Sequence, residues 1–346
     1  MPPHSHDAHP EQPEPIGNHE AHPYQRLNPD RVLDAMESLG IESDARILAL
    51  NSYENRVYQV GVEGGAPLIV KFYRPGRWTR EQILEEHAFT AELAALEVPV
   101  VPPIAFAGAQ TLHEFDGFLF AVFERLAGRA PELDNPDNLL VMGRFIGRVH
   151  AVGAIKPFQH RTTLTVEQFA IESREFLLQH DFLPLSLRPA YETLTRDLIE
   201  RLQAIFAAHG QGPQLRIHGD CHPGNVLWRD EIPHFVDFDD TMSGPAIQDL
   251  WMMLSGERDQ KQGQLLEIVE GYEEFFEFNP AELNLVEALR TLRMMHYAAW
   301  LARRWQDPAF PMSFPWFNSE RYWAEHVLEL REQMAALDEP VLRLFP

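Results

Sequence analysis

The chain has 346 residues, a formal charge of −23 at pH 7, 45% hydrophobic and 23% charged residues, and one cysteine. That length suits about two domains. The acidic balance argues against general nucleic-acid binding, which depends on neutralising phosphates, and a single cysteine excludes an internal disulfide framework. No run of about 18 apolar residues is present, nor a charged segment followed by an apolar one at the N-terminus. A cytoplasmic protein without a membrane span is therefore expected. The acidity serves solubility, and it is compatible with attraction of metal ions or a basic ligand.

Residues 1–26 are rich in Pro and His and read as a disordered tail. Asn28-Pro29 then caps a helix through Val32, Leu33, Met36 and Leu39, stopped by Gly40. Strands are expected at 47–50, 56–62 and 68–73, with Gly64-Gly65 turning the second into the third. The turn 51–56, Asn-Ser-Tyr-Glu-Asn-Arg, contains no glycine, so no glycine-rich phosphate cradle is claimed there. Of the 29 lysines and arginines only Lys71, Lys156 and Lys261 are lysine. Lys71 sits inside the apolar run Pro-Leu-Ile-Val-Lys-Phe-Tyr, where an ammonium costs free energy unless a charge meets it.

Thr79-Arg80-Glu81-Gln82 is a capping-box pattern, so a helix should start at Arg80 and stop at Val98-Pro99. Glu85 and Glu86 on that helix point about 100° apart, so one of them can reach back to Lys71; Glu86 is the choice. A strand at 118–123 precedes Glu124-Arg125-Leu126-Ala127-Gly128-Arg129, where β-rich sequence gives way to helical sequence. A hinge is placed at 124–129. It separates an N-terminal lobe, 27–123, from a C-terminal lobe, 130–346, and backbone groups at Glu124 to Leu126 would meet a planar base. Helices follow at 136–150, 166–180 and 188–208. The last third is helical and aromatic, and Pro308, Pro311 and Pro315 should turn part of it into a rigid loop.

The stretch 217–240 carries the chemistry. Apolar runs at 215–217, 226–228 and 235–236 read as short strands ending in functional groups: Asp220 and Asn225 after the first, Asp237 after the third. Asp-x-x-x-x-Asn is the spacing at which an aspartate orients and deprotonates an alcohol while an asparagine binds metal. Asp237 and Asn225 offer the oxygen ligands that Mg²⁺ prefers. With Lys71 on phosphates, these groups point to transfer of a phosphoryl group to an alcohol. Asp249 is expected to anchor the loop, and Cys221 to be a packed small side chain.

Lys71, the helix glutamate, His218-Gly219-Asp220-x-x-x-x-Asn225 and Phe235-Val236-Asp237 together resemble the aminoglycoside phosphotransferase and choline kinase group. Leu50 to Tyr58, Val70-Lys71-Phe72-Tyr73-Arg74-Pro75, His218-Gly219-Asp220-Cys221-His222, Gly244-Pro245-Ala246 through Leu250-Trp251-Met252, and Trp300 to Trp305 with Asp307 to Pro311 resemble more closely the bacterial stress response kinase A family. The likeness spans about residues 27–335. It implies an α+β, two-lobed protein-kinase-like fold with a small β-rich N-lobe and a larger, mainly helical C-lobe. It implies an ATP- and Mg²⁺-dependent serine/threonine protein kinase. A monomer with no nucleic-acid or membrane partner is expected apart from the likeness. Asp220 would be the proton acceptor, with Asp237 catalytic and binding metal together with Asn225. The ATP site would be formed by Ser52, Lys71, Glu86, Glu124 and Leu126. A kinase of small alcohols and a non-catalytic binding module of the same fold are the alternatives. Gly219 stands where protein kinases that read an activation-loop phosphate have arginine, so no such switch is expected.

Overall fold

The computed structural model describes residues 22–344. Helix α1 (Pro29–Glu37) begins where its cap dictates: Asn28 Oδ1 accepts the Arg31 N–H at 2.9 Å and Pro29 fills the first turn. It lies against an antiparallel sheet of β1 (Ser43–Ala49), β2 (Arg56–Val62), β3 (Leu68–Phe72), β4 (His113–Phe115) and β5 (Phe118–Glu124), ordered β1-β2-β3-β5-β4. Val32, Ala35 and Met36 of the helix share one core with Val60, Val70, Phe72 and Phe120 of the strands. β1 starts well before the expected residue 47. Ala45 takes a left-handed φ of 64° and a register shift between Ser43 and Ile47 breaks the alternation that marks a strand.

The expected tail lies outside the described residues up to residue 21. Its end is earlier than residue 26, because Pro23–Arg26 form a 3-10 turn with Tyr24 buried. The Tyr24 hydroxyl donates to the Phe72 carbonyl at 3.2 Å, an anchor that the Pro/His composition around it concealed.

Helix α2 (Arg80–Ala95) carries the full capping box: Thr79 Oγ1 accepts from the Gln82 N–H and Gln82 Oε1 from the Thr79 N–H. Its Phe89 and Leu93 belong to the large second core, so this helix joins the two halves. The second half comprises α3 (Pro136–Gly153), a π turn at Glu167–Ile171 running into α4 (Glu172–Gln179), α5 (Arg188–His209), α6 (Ile247–Trp251), α7 (Arg258–Tyr272), α8 (Val286–Arg303), α9 (Ala309–Ser313) and α10 (Glu320–Ala336). α3 and α7 touch backbone to backbone. A Cβ at Gly143 would lie 2.0 Å from the Ile268 carbonyl oxygen, and one at Gly271 would lie 2.0 Å from that of Leu140. The proline-rich stretch expected to be a loop contains α9, with Pro311 in a helix too short to need its N–H.

Two small antiparallel pairs sit where the lobes meet: β6 (Leu215–Ile217) with β9 (Met242–Gly244), and β7 (Val226–Arg229) with β8 (Ile232–Phe235). The architecture is α+β, a small β-rich lobe on a larger helical one, and the loops of these two pairs face the space between.

Candidate active site

A cavity of about 640 Å³ separates the lobes. Ser52, Lys71, Glu86, Glu124, Leu126, Asp220, Asn225 and Asp237 all line it. Val57 and Ile69 from the sheet, with Leu227 of β7 and Val236 just after β8, add apolar walls to the cavity that Glu124 also lines, suited to a flat aromatic ring.

Lys71 lies in mid-β3, paired with Val57 on one side and Ala121 on the other, and its side chain is 8% exposed. Its Nζ is 3.1 Å from Asp237 Oδ1, 3.1 Å from Asp239 Oδ1 and 3.9 Å from Glu86 Oε1. Burial alone would pull the ammonium pKa down, but Asp239, Asp237 and Glu86 outweigh it and hold Lys71 well above its ordinary value. Burial pushes Glu86 up to about 7 against the pull of Lys71. Glu85 faces elsewhere and accepts the backbone N–H groups of His160 and Arg161 at 2.8 Å each.

The loop after β6 is fixed from beneath. Asp249, buried in α6, accepts the N–H groups of His218 and Gly219 at 2.7 and 2.9 Å, and its Oδ2 lies 3.0 Å from His150 Nε2. Gly219 has a φ of +84°, and a Cβ there would lie 2.3 Å from the Asp240 carbonyl oxygen, so glycine is required. Asn225 Nδ2 donates to Asp220 at its carbonyl oxygen (3.0 Å) and at Oδ2 (3.3 Å). Asp220 Oδ1 accepts from Arg293 Nη1 at 2.6 Å, while Oδ2 is 3.4 Å from His222 Nε2. Burial raises the Asp220 pKa, but His222 and Arg293 outweigh it and hold the carboxyl below the usual range.

Asp237 follows β8 with φ 58° and ψ 61°, a left-handed conformation costing an L-residue about 1–2 kcal/mol. Its side chain is 54% exposed. The donor set fits a hard cation. Asp237 offers a carboxylate, and because the Asn225 nitrogen is committed to Asp220, the amide oxygen is the atom left for a metal. Among the described residues no group of three or more His, Cys, Asp or Glu side chains is arranged to hold a metal. A bound Mg²⁺ would thus need oxygens from a phosphate ligand as well.

Several groups at the site were not singled out in the sequence. Asp239 is the second carboxylate on Lys71, and Arg77 binds both Asp239 and Asp240. Arg161 donates to the Thr241 carbonyl at 2.9 Å and stacks over Trp78 at 4.2 Å, steadying residues 238–241. The loop 51–55 has no glycine to let a ligand approach and is instead held in a cage. Asn55 Oδ1 accepts the Arg74 N–H at 3.0 Å, and Arg74 donates to the carbonyls of Glu54 and Tyr53. Glu54 pairs with Arg74 (2.8 Å) and with Arg304 (2.6 Å), and it accepts from Trp300 Nε1 at 2.6 Å. Asp307 accepts from Arg56 Nη2 at 3.0 Å on both oxygens and from Arg74 Nη2 at 2.7 Å. These contacts clasp the loop to the opposite lobe. The run Asp237–Asp240 was the available signal for Asp239; nothing local announces the clasp.

Comparison with known proteins places this geometry. Residues 46–286 match the phosphotransferase enzyme family. Stress response kinase A of Escherichia coli (strain K12) is 47% identical over 331 residues, 95% of this chain and 99% of that protein. A protein of Salmonella typhimurium named serine/threonine protein kinase RdoA is 44% identical over 333 residues, with the same coverage. Among solved structures, a microcompartment-associated aminopropanol kinase superposes with a TM-score of 0.69 at 19% identity, covering 90% of this chain and 99% of its own. That likeness is one of fold, and the fold is the two-lobed one of the kinase-like phosphotransferases.

Proposed function

The chain belongs to the phosphotransferase enzyme family, and we propose that it is a serine/threonine protein kinase of the stress response kinase A type, using ATP and Mg²⁺. The observation that carries a protein acceptor is the near full-length relationship to a protein named as a serine/threonine kinase. Lobes at 27–123 and 130–346 would hinge at 124–129, where backbone groups of Glu124 and Leu126 meet the base. Ser52 lies over the phosphates. Mg²⁺ held by Asp237 and the Asn225 amide oxygen would supply neutralisation of the phosphate oxygens. Lys71 would meet the α- and β-phosphates with the Nζ that now lies against Asp237 and Asp239, while Glu86 keeps it in place. Asp220 orients the acceptor hydroxyl and takes its proton, and Asn225 holds Asp220 through its amide nitrogen. Among the described residues no helix is long and apolar enough to cross a membrane, and we propose a cytoplasmic monomer.

The test is labelled ATP with Mg²⁺, the purified protein, a generic protein substrate and a panel of small alcohols. Label on protein serine or threonine supports the reading. Label on small alcohols and never on protein, the enzyme included, would overturn it in favour of a small-alcohol kinase. Nucleotide binding without label on either would leave a non-catalytic module.

A further inference from the structure

Beside Asp220 a second cavity of about 140 Å³ opens on the C-terminal lobe. Arg293, His296, Tyr297 and Trp300 of α8 line it, at the three-, four- and seven-residue spacings that put side chains on one helix face. Leu164 and Phe169 close its far side. We propose that this is the acceptor subsite, and that Arg293 selects a peptide whose phosphorylated serine or threonine is flanked by a carboxylate side chain. The inference rests on the protein-kinase reading above.

The other arginines on α8 and at its C-terminal cap are structurally committed: Arg290 pairs with Glu287, Arg303 donates to the Glu172 carbonyl, and Arg304 pairs with Glu54. Arg293 has one ion pair among the described residues, to Asp220 Oδ1, and its side chain is 46% exposed. A guanidinium has five N–H donors, and here Nη1 alone is engaged with a carboxylate, leaving a fork free for a second oxyanion. An acceptor hydroxyl presented to Asp220 therefore arrives beside an unsaturated cation.

The surroundings reinforce that sign. His296 is pushed down to about 3 by burial first and then by Arg303, Arg304, Arg77 and Arg293, so it is neutral and sits in a cationic field. Asp240, the other acid on this wall, is already bound by Arg77. A chain of net charge −23 suggests a basic acceptor, but the local arrangement favours an acidic one. Local pairing decides because screening confines such effects to about 8–10 Å.

The experiment compares two peptides that differ only in the residues beside a central serine, aspartate in one and lysine in the other. Versions with alanine for that serine are titrated onto the full-length protein with AMP-PNP and Mg²⁺, and binding is read by calorimetry. The acid-flanked peptide should bind about tenfold more tightly, the scale of one charge-assisted contact. Arg293→Glu should invert the ratio and Arg293→Gln, should the reversal fail to fold, should bring it towards one. A ratio within twofold in the wild type, tighter binding of the lysine peptide, no binding of either, or an unchanged ratio in the variants would overturn the proposal. Failure of the serine peptides to accept phosphate, with the binding ratio intact, would remove the protein-kinase reading and leave the charge preference of the subsite standing.

Discussion

Replacing Asp307 by asparagine perturbs the clasp over the cavity between the lobes without altering a residue that lines it. Asp307 is 2% exposed, and the two arginines it binds, Arg56 and Arg74, are 19% and 10% exposed. Removing one member of a buried ion pair costs about 3–5 kcal/mol when nothing compensates. Here part is compensated: Arg74 keeps Glu54, Arg56 keeps its place over the Tyr24 ring at 4.3 Å, and asparagine keeps an oxygen for the Ala309 N–H. We expect a loss of about 2 kcal/mol in urea unfolding. We also expect about tenfold weaker ATP binding, because the loop 51–55 loses the route to the other lobe that runs through Arg56 and Arg74 to Asp307. A double-mutant cycle of Asp307→Asn with Arg56→Ala should show coupling of about 1 kcal/mol or more. Stability within about 0.5 kcal/mol of wild type, together with unaltered ATP affinity, would refute the clasp.

Asp249→Asn should lower turnover by about 10²-fold and destabilise the fold by about 2–4 kcal/mol, since one amide oxygen must replace a carboxylate that serves two N–H groups and His150; activity within threefold of wild type would show that the loop is anchored elsewhere. Glu86 is raised by burial to about 7, so the folded state binds its proton more tightly than the unfolded one. Its contribution is full below pH about 4.5 and is lost as pH rises through 7. The stability of wild type relative to Glu86→Gln, from urea midpoints, should therefore fall between pH 5 and 7.5, and a rise would contradict the assignment. Cys221 is 2% exposed and burial pushes its thiol pKa well above the ordinary value, with Asp249 and Asp220 adding to the rise. Cys221→Ser should keep activity within about threefold, and the native thiol should resist alkylation and peroxide; peroxide inactivation that the serine variant escapes would show a sensor.

Features written into short sequence windows were readable. The caps of α1 and α2, the lysine inside β3, and the polar residues at the ends of β6 and β8 each follow from local rules of helix entry and strand alternation. Long-range choices were hidden. β4 and β9 have three residues each and acquire meaning only from partners, β5 and a strand 25 positions upstream. The clasp joins Arg56 to Asp307 across 251 positions, and arginine is common enough here that no single one stands out. Asp239 stays hidden within the acidic run, because the tight 3-10 turn at Phe238–Asp240 that swings its carboxylate under Lys71 has no pattern of its own. Tyr297 and Trp300 had the composition of core, and their stacking at the cleft became visible only with α8 in place.

The proposed mechanism has Asp220 meeting the acceptor, Lys71 meeting the phosphates and Asp237 holding the Mg²⁺ that would neutralise them. Its most direct test is Asp220→Asn, comparing phosphoryl transfer to protein serine or threonine with ATP affinity in the same preparation. The account predicts transfer reduced by about 10³-fold, within the range ordinary for a proton acceptor, with ATP affinity within about twofold of wild type. Transfer within tenfold of wild type would contradict it.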